Sequence, residues 1–283
     1  MIDNKNYFIG VFDSGIGGLS CVKEIIKLVP KVNIIYCADN TNCPYAEREK
    51  DEIMKFAFNN LHFLENEGSS VLLIASNTCS SIALVKARKE FNIPVLGIID
   101  PAITKLSEIK SVIRIGLIGT QSLIKSKVYY KKIKKIIPKA MIHEINLNND
   151  DIYTIERNLS DKNKINELIQ KILNPLINKV DVILIGCTHL YFLKQKMIDY
   201  FNNKITLIDP SEQIALDIKQ DIDKKNIYFD EGKSPEMKCY VSGEIKYFKK
   251  FVEENITDFP IRKISFAIRN FHIPYKNNKG ELY

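Results

Sequence analysis

The segment VLLIASNT at residues 71–78 and the segment DVILIGCTH at residues 181–189 have the same arrangement. Each is an apolar strand pattern that ends in small polar or reactive side chains and is followed by a helical pattern. In a parallel α/β sheet this place is the carboxyl end of a strand, where ligands bind. Two such ends facing one cleft bring a proton-transfer group to each face of one carbon atom. The second segment offers Cys187 for this task, and the first offers Ser76.

Strands alternate with helices along almost the whole chain, and the strands are continuous apolar runs typical of a parallel sheet covered on both faces. The alternation predicts an α/β fold with right-handed crossovers, and the repeated strand–end–helix arrangement predicts two similar lobes with a cleft between them. One helix is expected over residues 123–137 and a loop over residues 146–151. The predicted strands are residues 7–12, 33–38, 71–75, 95–99, 114–118, 141–145, 181–185 and 204–208.

The composition predicts a soluble globular protein with a large core, since 45% of the 283 residues are hydrophobic and 27% are charged. The beginning of the chain lacks the order of a secretory signal, and its apolar runs are too short to cross a membrane, so we expect a cytoplasmic protein without a membrane partner. The net charge of +7 comes largely from lysine-rich helix faces such as residues 131–135, and we expect no nucleic acid partner. We also expect free cysteines, no metal site and a frayed polar tail at residues 277–283.

Residues 10–18, GVFDSGIGG, follow the first predicted strand and open a helix. The segment matches neither a Walker A loop nor a dinucleotide-binding fingerprint. Its glycines allow a tight turn, and the amides at the helix N-terminus would attract an anion such as a carboxylate. Asp13 and Ser14 are therefore candidates to hold an ammonium group and a carboxylate of one ligand. An ordinary strand–helix turn capped by Asp13 is the alternative.

Two further segments carry polar side chains after strands, each with a plain structural alternative. The loop at residues 38–46 combines Asp, Asn and Tyr and suits a small polar ligand, but it also suits an ordinary loop stiffened by proline. Residues 76–78, SNT, can all cap the helix that follows them.

Cys187, Thr188 and His189 form the more informative strand end. A cysteine at a helix N-terminus is expected to have a lowered pKa and to be a better thiolate. His189, two residues further on, is placed to orient or protonate that thiolate. A lone cysteine is usually a small buried hydrophobic residue, but the Thr-His that follows it favours a functional interpretation.

At these segments taken together, the chain resembles the glutamate racemases of the aspartate/glutamate racemase superfamily. Each motif is weak alone, but together they are specific and span nearly the whole chain. The motifs are FDSGIGGLS at 12–20, ADNTNCPY at 38–45, SNT at 76–78, LIGT at 117–120, GCTH at 186–189, IDPSEQIA at 208–215 and YVSGE at 240–244.

The resemblance implies two pseudo-symmetric α/β lobes, residues 1–98 with 210–283 and residues 99–209, and an active site in the cleft between them. It implies a homodimeric, cofactor-independent isomerase that interconverts L- and D-glutamate for peptidoglycan, with one acid–base group on each face of the α-carbon. Ser76 stands at the first catalytic cysteine and Cys187 at the second, and Asp13 and His189 would assist them. The positions that match substrate contacts are Asp13, Ser14, Tyr45, Ala46, Asn77, Thr78, Thr188 and His189.

The chain departs from the pattern of these racemases at four places. Ser76 replaces a cysteine, Ala46 replaces a glycine, and residues 100–102 read Asp-Pro-Ala in place of Glu-Pro-Gly. The acidic segment of the second lobe is not recognisable around residues 146–156. These departures leave the fold prediction intact, and they bear on the substrate and on the rate of turnover.

Ser76 is the departure with the largest chemical consequence, because a thiol has a pKa near ~8.5 and a serine hydroxyl is far less acidic. We therefore expect poor proton abstraction on the Ser76 side, while Cys187 still acts on one enantiomer. Three explanations stay open: a substitution introduced to trap substrate, a natural change for which Cys79 compensates, and a single-cysteine decarboxylase or isomerase of the same superfamily. A non-catalytic protein that binds an amino acid is the alternative from another class.

Overall fold

The computed structural model describes residues 7–109, 111, 113–224, 227, 235–256 and 263–269, so the tail at residues 277–283 lies outside the described residues. The strands are β1 (Phe8–Asp13), β2 (Asn33–Ala38), β3 (Ser69–Ile74), β4 (Val95–Gly97), β5 (Arg114–Thr120), β6 (Met141–Leu147), β7 (Val182–Gly186), β8 (Thr206–Ile208), β9 (Glu236–Val241) and β10 (Lys263–Ile268). The α-helices are α1 (Leu19–Leu28), α2 (Lys50–Asn66), α3 (Asn77–Glu90), α4 (Ile99–Glu108), α5 (Gln121–Ser126), α6 (Val128–Ile136), α7 (Asn149–Asn158), α8 (Lys162–Leu173), α9 (Lys194–Tyr200), α10 (Pro210–Asp223) and α11 (Ile245–Asn255). Short 3₁₀ helices occupy Asn174–Leu176 and Thr188–Leu193.

The strands form two parallel sheets whose first four strands have the same spatial order. The first sheet runs β10-β9-β2-β1-β3-β4 and the second runs β6-β5-β7-β8. In each sheet the first strand of the chain is central, between the second and the third. The prediction of two pseudo-symmetric α/β lobes is confirmed. Because β3 and β7 occupy equivalent places, the residues that follow them also occupy equivalent places.

Both faces of each sheet are covered by apolar side chains, which is why the strands lack polar alternation. Helix α10 packs against α1 on the first sheet through Ile214 and Ile218, although it follows the last strand of the second sheet. Helix α4 packs on the second sheet through Ile99 and Leu106. We propose that the lobes divide after residue 98 and before residue 210, because the chain crosses between the sheets at these two places. No helix in the described ranges is long and apolar enough to cross a membrane.

Strands β9 and β10, at one side of the first sheet, were not predicted from sequence. They extend the first sheet beyond β2, and along β9 half-buried residues alternate with buried ones, so the continuous apolar signal of the central strands is missing. The predicted strand at residues 95–99 ends early at Gly97, because Pro101 lies in the first turn of α4, where proline favours a helix start.

The single helix expected over residues 123–137 is wrong, because Lys127 adopts a left-handed conformation with φ of 56° and separates α5 from α6. The loop expected over residues 146–151 is also wrong. Strand β6 continues to Leu147, and Asn148 forms a capping box with Asp151 that starts α7. Asn and Asp favour helix starts as well as loops, so the polar composition was misleading there.

Candidate active site

A small cavity lies between the lobes, at the carboxyl ends of β1, β3, β5 and β7. Its position is the one expected for a ligand site of a parallel α/β sheet. The cavity brings together all of the candidate residues except Asp13. Its lining residues are Ser14, Pro44, Tyr45, Ala46, Ser76, Asn77, Thr78, Thr120, Ile152, Gly186, Cys187, Thr188 and His189.

Ser76 lines the cavity and also caps α3. Its side-chain oxygen accepts a hydrogen bond from the backbone N–H of Cys79 at 3.3 Å. The capping role that the sequence offered as an alternative is thus present, and Ser76 also lies in the cavity as a candidate site residue. Cys79 is fully buried outside the cavity, and burial raises the pKa of its thiol well above the ordinary range. This environment argues against Cys79 as a substitute base.

The residues next to Ser76 are tied to the second lobe by hydrogen bonds between neutral groups. The hydroxyls of Thr78 and Thr120 are 2.7 Å apart. The hydroxyl of Tyr129 donates to Oδ1 of Asn77 at 2.7 Å. Both contacts join the N-terminal turn of α3 to the ends of the second lobe's elements, so they close the cleft on its Ser76 side.

Cys187 lies at the equivalent place of the second lobe, directly after β7 and at the cap position of the 3₁₀ helix. Its Sγ is 3.8 Å from Nδ1 of His189, and Nε2 of His189 is 2.9 Å from Oε1 of Glu156. All three side chains are almost wholly buried. The Cys187 side therefore consists of a thiol, an imidazole and a carboxylate in sequence, whereas the Ser76 side is neutral.

Opposing effects act on the titration of His189. Burial by itself lowers the pKa of His189, but the hydrogen bonds and charges of Cys187 and Glu156 outweigh it and raise the pKa well above the ordinary value. For Glu156, burial by itself raises the pKa, and His189 together with the Ile16 N–H brings it below the ordinary value. The two shifts agree in direction, and they describe an imidazolium–carboxylate ion pair in the wall of the cleft.

Glu156 is a residue of this site that the sequence did not predict. It lies on α7, near the buried Ile152 and Ile155, and it crosses to the first lobe to accept from the Ile16 N–H at 3.4 Å. The Ile16 N–H belongs to the loop that we expected to bind a ligand carboxylate, and it is bonded instead to the carboxylate of Glu156. A signal was available, because a glutamate one helical turn after Ile152 lies on the apolar face of an amphipathic helix.

The glycines of residues 15–18 permit close approach of the lobes at this point. A Cβ on Gly15 would lie 2.3 Å from Oε1 of Glu156. A Cβ on Gly17 would lie 2.3 Å from Oγ1 of Thr188 and 2.8 Å from Nδ1 of His189. Neither glycine has a positive φ, so their role is to leave space for the side chains of Glu156, Thr188 and His189 rather than to make a left-handed turn.

Asp13 is fully buried behind the cavity. Oδ1 accepts from the Gly15 N–H at 3.0 Å, and Oδ2 accepts from the Thr188 hydroxyl at 3.3 Å. Burial raises the pKa of Asp13 to about 6, against the opposing effect of the nearby His189. Asp13 thus holds its own loop and the strand end of the other lobe, and it contacts the cavity through Thr188.

The loop of residues 38–46 completes the rim. The Tyr45 hydroxyl donates to Asp39, which fixes the ring that lines the cavity. The Ala46 carbonyl accepts from the N–H of Ser122 at 2.9 Å and from its hydroxyl at 3.0 Å. The alanine that replaces glycine here is accommodated as a buried residue.

Residues 9–215 match the Asp/Glu/hydantoin racemase family. A glutamate racemase of a Carnobacterium species is 30% identical over 93% of this chain and 100% of its own length. The glutamate racemase of Aquifex pyrophilus is 32% identical over 74% of this chain and 81% of its own length.

Solved structures agree with this similarity. A glutamate racemase isoform of Bacillus anthracis superposes with a TM-score of 0.86 at 28% identity, over 94% of this chain and 98% of that one. The glutamate racemase of Francisella tularensis, solved in complex with D-glutamate, gives 0.82 at 26% identity over the same shares. The chain therefore belongs to the Asp/Glu/hydantoin racemase family, as a member of its glutamate racemase group.

Proposed function

We propose that the protein interconverts L- and D-glutamate without a cofactor, by proton transfer at the α-carbon between Cys187 on one face and the Ser76 position on the other. One observation carries the proposal: the two residues follow equivalent strands of the two lobes and line the same cavity. The glutamate racemases similar to this chain, one of them bound to D-glutamate, support glutamate as the substrate.

On the Cys187 side, the thiolate would accept the α-proton from one enantiomer or its thiol would return a proton to the planar intermediate. The imidazolium of His189, 3.8 Å away, stabilises the negative sulfur. Glu156 holds the imidazolium at 2.9 Å and keeps it protonated. A thiolate in contact with a fixed positive charge is the usual arrangement of a reactive cysteine.

The substrate carboxylates would be held by neutral donors around the cavity. The Asn77 amide, the Thr78 hydroxyl and the Ser14 side chain all line it. The Thr188 hydroxyl also lines the cavity, but its proton is donated to Asp13, so it can only accept a hydrogen bond from a ligand. Tyr45 and Ala46 form the rim, so they limit the length of the ligand.

On the Ser76 side, a hydroxyl replaces the second thiol and is engaged as a helix cap. A serine is a poor base at neutral pH, because proton transfer is efficient when the pKa of the group lies near the working pH. We therefore propose that this chain exchanges the α-proton of one enantiomer faster than it racemises it. The wider role would be supply of D-glutamate for peptidoglycan, by a cytoplasmic homodimer.

The test is α-proton exchange in D₂O, followed by NMR, with L- and D-glutamate supplied separately to the protein and to Ser76→Cys. We expect exchange of one enantiomer without matching racemisation in the protein, and racemisation of both enantiomers in the variant. Ser80→Cys is the matched control, because it adds a thiol to the same helix at a residue that does not line the cavity. Absence of exchange in all three proteins would contradict the proposal. Glutamate binding without exchange would instead indicate an amino-acid-binding protein.

A further inference from the structure

The Asn77 side chain has one satisfied end and one free end. Its Oδ1 accepts from the Tyr129 hydroxyl at 2.7 Å. Its Nδ2 is buried and has no hydrogen-bond partner among the described residues. The residue is only 2% exposed and lines the cavity between the lobes. The amide NH₂ is therefore a donor without an acceptor at the wall of the substrate cleft.

A buried donor without a partner costs free energy, and such groups are rare in folded proteins unless a ligand, an ion or a water molecule supplies the partner. An asparagine amide also has two orientations related by a half-turn, which exchange its donor and its acceptor. With the NH₂ towards the cleft, Asn77 binds a carboxylate oxygen. With the oxygen towards the cleft, the same side chain repels it. A second group is needed to select between these orientations.

We propose that Tyr129 is a positioning residue, which fixes the Asn77 amide so that its NH₂ faces a carboxylate of the substrate. This inference rests on the proposed function, and it adds a residue that does not itself line the cleft. In the flipped orientation the phenol would accept from the NH₂ and its own proton would lose Oδ1, its only acceptor among the described residues. The phenol therefore favours the orientation in which it donates to Oδ1 and both amide hydrogens are left for the ligand.

The surroundings of Tyr129 suit this role. The ring is 1% exposed and packs in the core of the second lobe beneath α4, so the hydroxyl has little freedom to move. Burial raises the pKa of Tyr129 well above the ordinary value, and the nearby Asp100 and Asp209 act in the same direction, so the hydroxyl keeps its proton. The break at Lys127 begins α6 one residue before Tyr129 and allows this helix to take its own direction towards Asn77.

The neighbouring contact between Thr78 and Thr120 cannot supply the same selection. Either hydroxyl can donate across the 2.7 Å between them, so the pair has no fixed polarity. Both threonines also line the cavity and can turn to a ligand. Tyr129 contacts Asn77 from outside the cavity, so its hydrogen bond can persist when substrate binds.

The test is a double-mutant cycle of Tyr129→Phe and Asn77→Ala, measured in the Ser76→Cys protein so that turnover is available. Each variant is characterised by KM and kcat for both enantiomers, by calorimetric binding of glutamate and by thermal unfolding. We expect Tyr129→Phe to raise KM and the dissociation constant roughly 3- to 10-fold, as for one lost hydrogen bond, with kcat changed about twofold or less. In the Asn77→Ala background, Tyr129→Phe should add almost nothing, because no amide is left to orient.

Tyr36→Phe is the matched control, because Tyr36 is equally buried and its hydroxyl donates to the Gly15 carbonyl at the same distance of 2.7 Å. Any effect of Tyr36→Phe on KM or on the dissociation constant should add to the effect of Asn77→Ala. Additive effects of Tyr129→Phe and Asn77→Ala, or a fall in kcat with unchanged KM, would overturn the assignment. If Tyr129→Phe is too unstable for kinetics, binding of glutamate to Asn77→Ala at parental affinity would overturn it equally. Failure of the parent and of Ser76→Cys to bind glutamate would instead refute the proposed function, and this assignment with it.

Discussion

The two sides of the cleft are built on equivalent strands, yet they differ in the kind of interaction that surrounds the central residue. On the first side Ser76 caps α3, and its neighbours contact Thr120 and Tyr129 through hydrogen bonds between neutral groups. On the second side Cys187 is in contact with His189, which is paired with Glu156. The topology repeats, whereas the electrostatics do not.

This difference shows that a repeated fold does not require repeated chemistry. The strand ends provide the same location in each lobe, with a cap position and a cleft-facing side chain. Only the second lobe adds a histidine and a carboxylate behind the central residue. The charged side is therefore the one on which we expect measurable proton transfer, and the neutral side the one that contributes binding and helix stability.

The largest effect is expected for Cys187→Ser, which makes both sides hydroxyls. The rate of α-proton exchange should fall by roughly 10²- to 10⁴-fold, because the acid–base group is lost. Deuterium incorporation into each enantiomer, followed by NMR, measures this rate. Cys239→Ser serves as the control, since Cys239 is a buried thiol in the first lobe outside the cavity. Exchange at the parental rate in Cys187→Ser would refute the assignment of the active side.

Glu156→Gln should change the pH dependence of the charged side. The carboxylate helps to raise the pKa of His189, whereas burial lowers it. Without the negative charge the pKa falls, His189 loses its proton at a lower pH, and the alkaline limb of the exchange rate moves to lower pH. Above the pKa of His189 in the variant, the protonated fraction of the imidazole drops about tenfold with each further increase of one in pH.

The measurement is the exchange rate between about pH 6 and pH 10 for the parent and for Glu156→Gln, a range that brackets the ordinary pKa values of histidine and cysteine. Glu144→Gln is the control, since Glu144 pairs with Lys127 on the outer strand of the second sheet. An alkaline limb at the same pH in Glu156→Gln and the parent would show that this carboxylate does not govern His189.

Asp13→Asn tests the buried carboxylate between the two sides. Burial raises the folded pKa of Asp13 from 3.8 to about 6, so the folded protein resists its ionisation. The free energy of unfolding should therefore fall as pH rises from about 4 through 6, by an amount on the order of 3 kcal/mol for this group. In Asp13→Asn the share of this loss that comes from Asp13 should be absent.

Urea unfolding at several pH values from about 4 to about 7 measures the slope of the free energy of unfolding against pH. Asp209 also has a pKa raised to about 6 by burial, so Asp13→Asn should remove only part of the slope, and Asp209→Asn should remove a comparable part. If the variant and the parent lose stability equally over this range, Asp13 is not ionising against its burial.

The smallest effect is expected for Ser76→Ala. Loss of the bond from the Cys79 N–H removes the cap of α3 and should lower the free energy of unfolding by about 1 kcal/mol. Ser81→Ala is the control, because Ser81 bonds the Thr78 carbonyl inside the helix and caps nothing. Chemical denaturation measures the free energy of unfolding of Ser76→Ala and of Ser81→Ala. Equal stability of Ser76→Ala and the parent would show that Ser76 has no structural role.

Much of the fold was accessible from sequence because its signals are local. Apolar runs marked the central strands, and the polar ends of β3 and β7 marked the cleft with Ser76 and Cys187. Strands β9 and β10 were missed because their pattern is mixed, and the break at Lys127 was missed because the helical periodicity continues through it. Local propensity carries no information on where tertiary packing redirects a helix.

The amino-acid sequence by itself determined the parallel α/β architecture, the two strand ends and the identity of the side chains at each. Only the tertiary structure decided which of those side chains work together. Glu156 is 33 residues from His189 and 140 from Ile16, and Tyr129 is 52 from Asn77. The bonds from Glu156 to Ile16 and from Tyr129 to Asn77 exist because the two lobes pack face to face at the carboxyl ends of their sheets, and the bond from Glu156 to His189 exists because α7 packs against the 3₁₀ helix within the second lobe. The distances across that interface depend on the packing of whole elements, which a local pattern of residues does not encode.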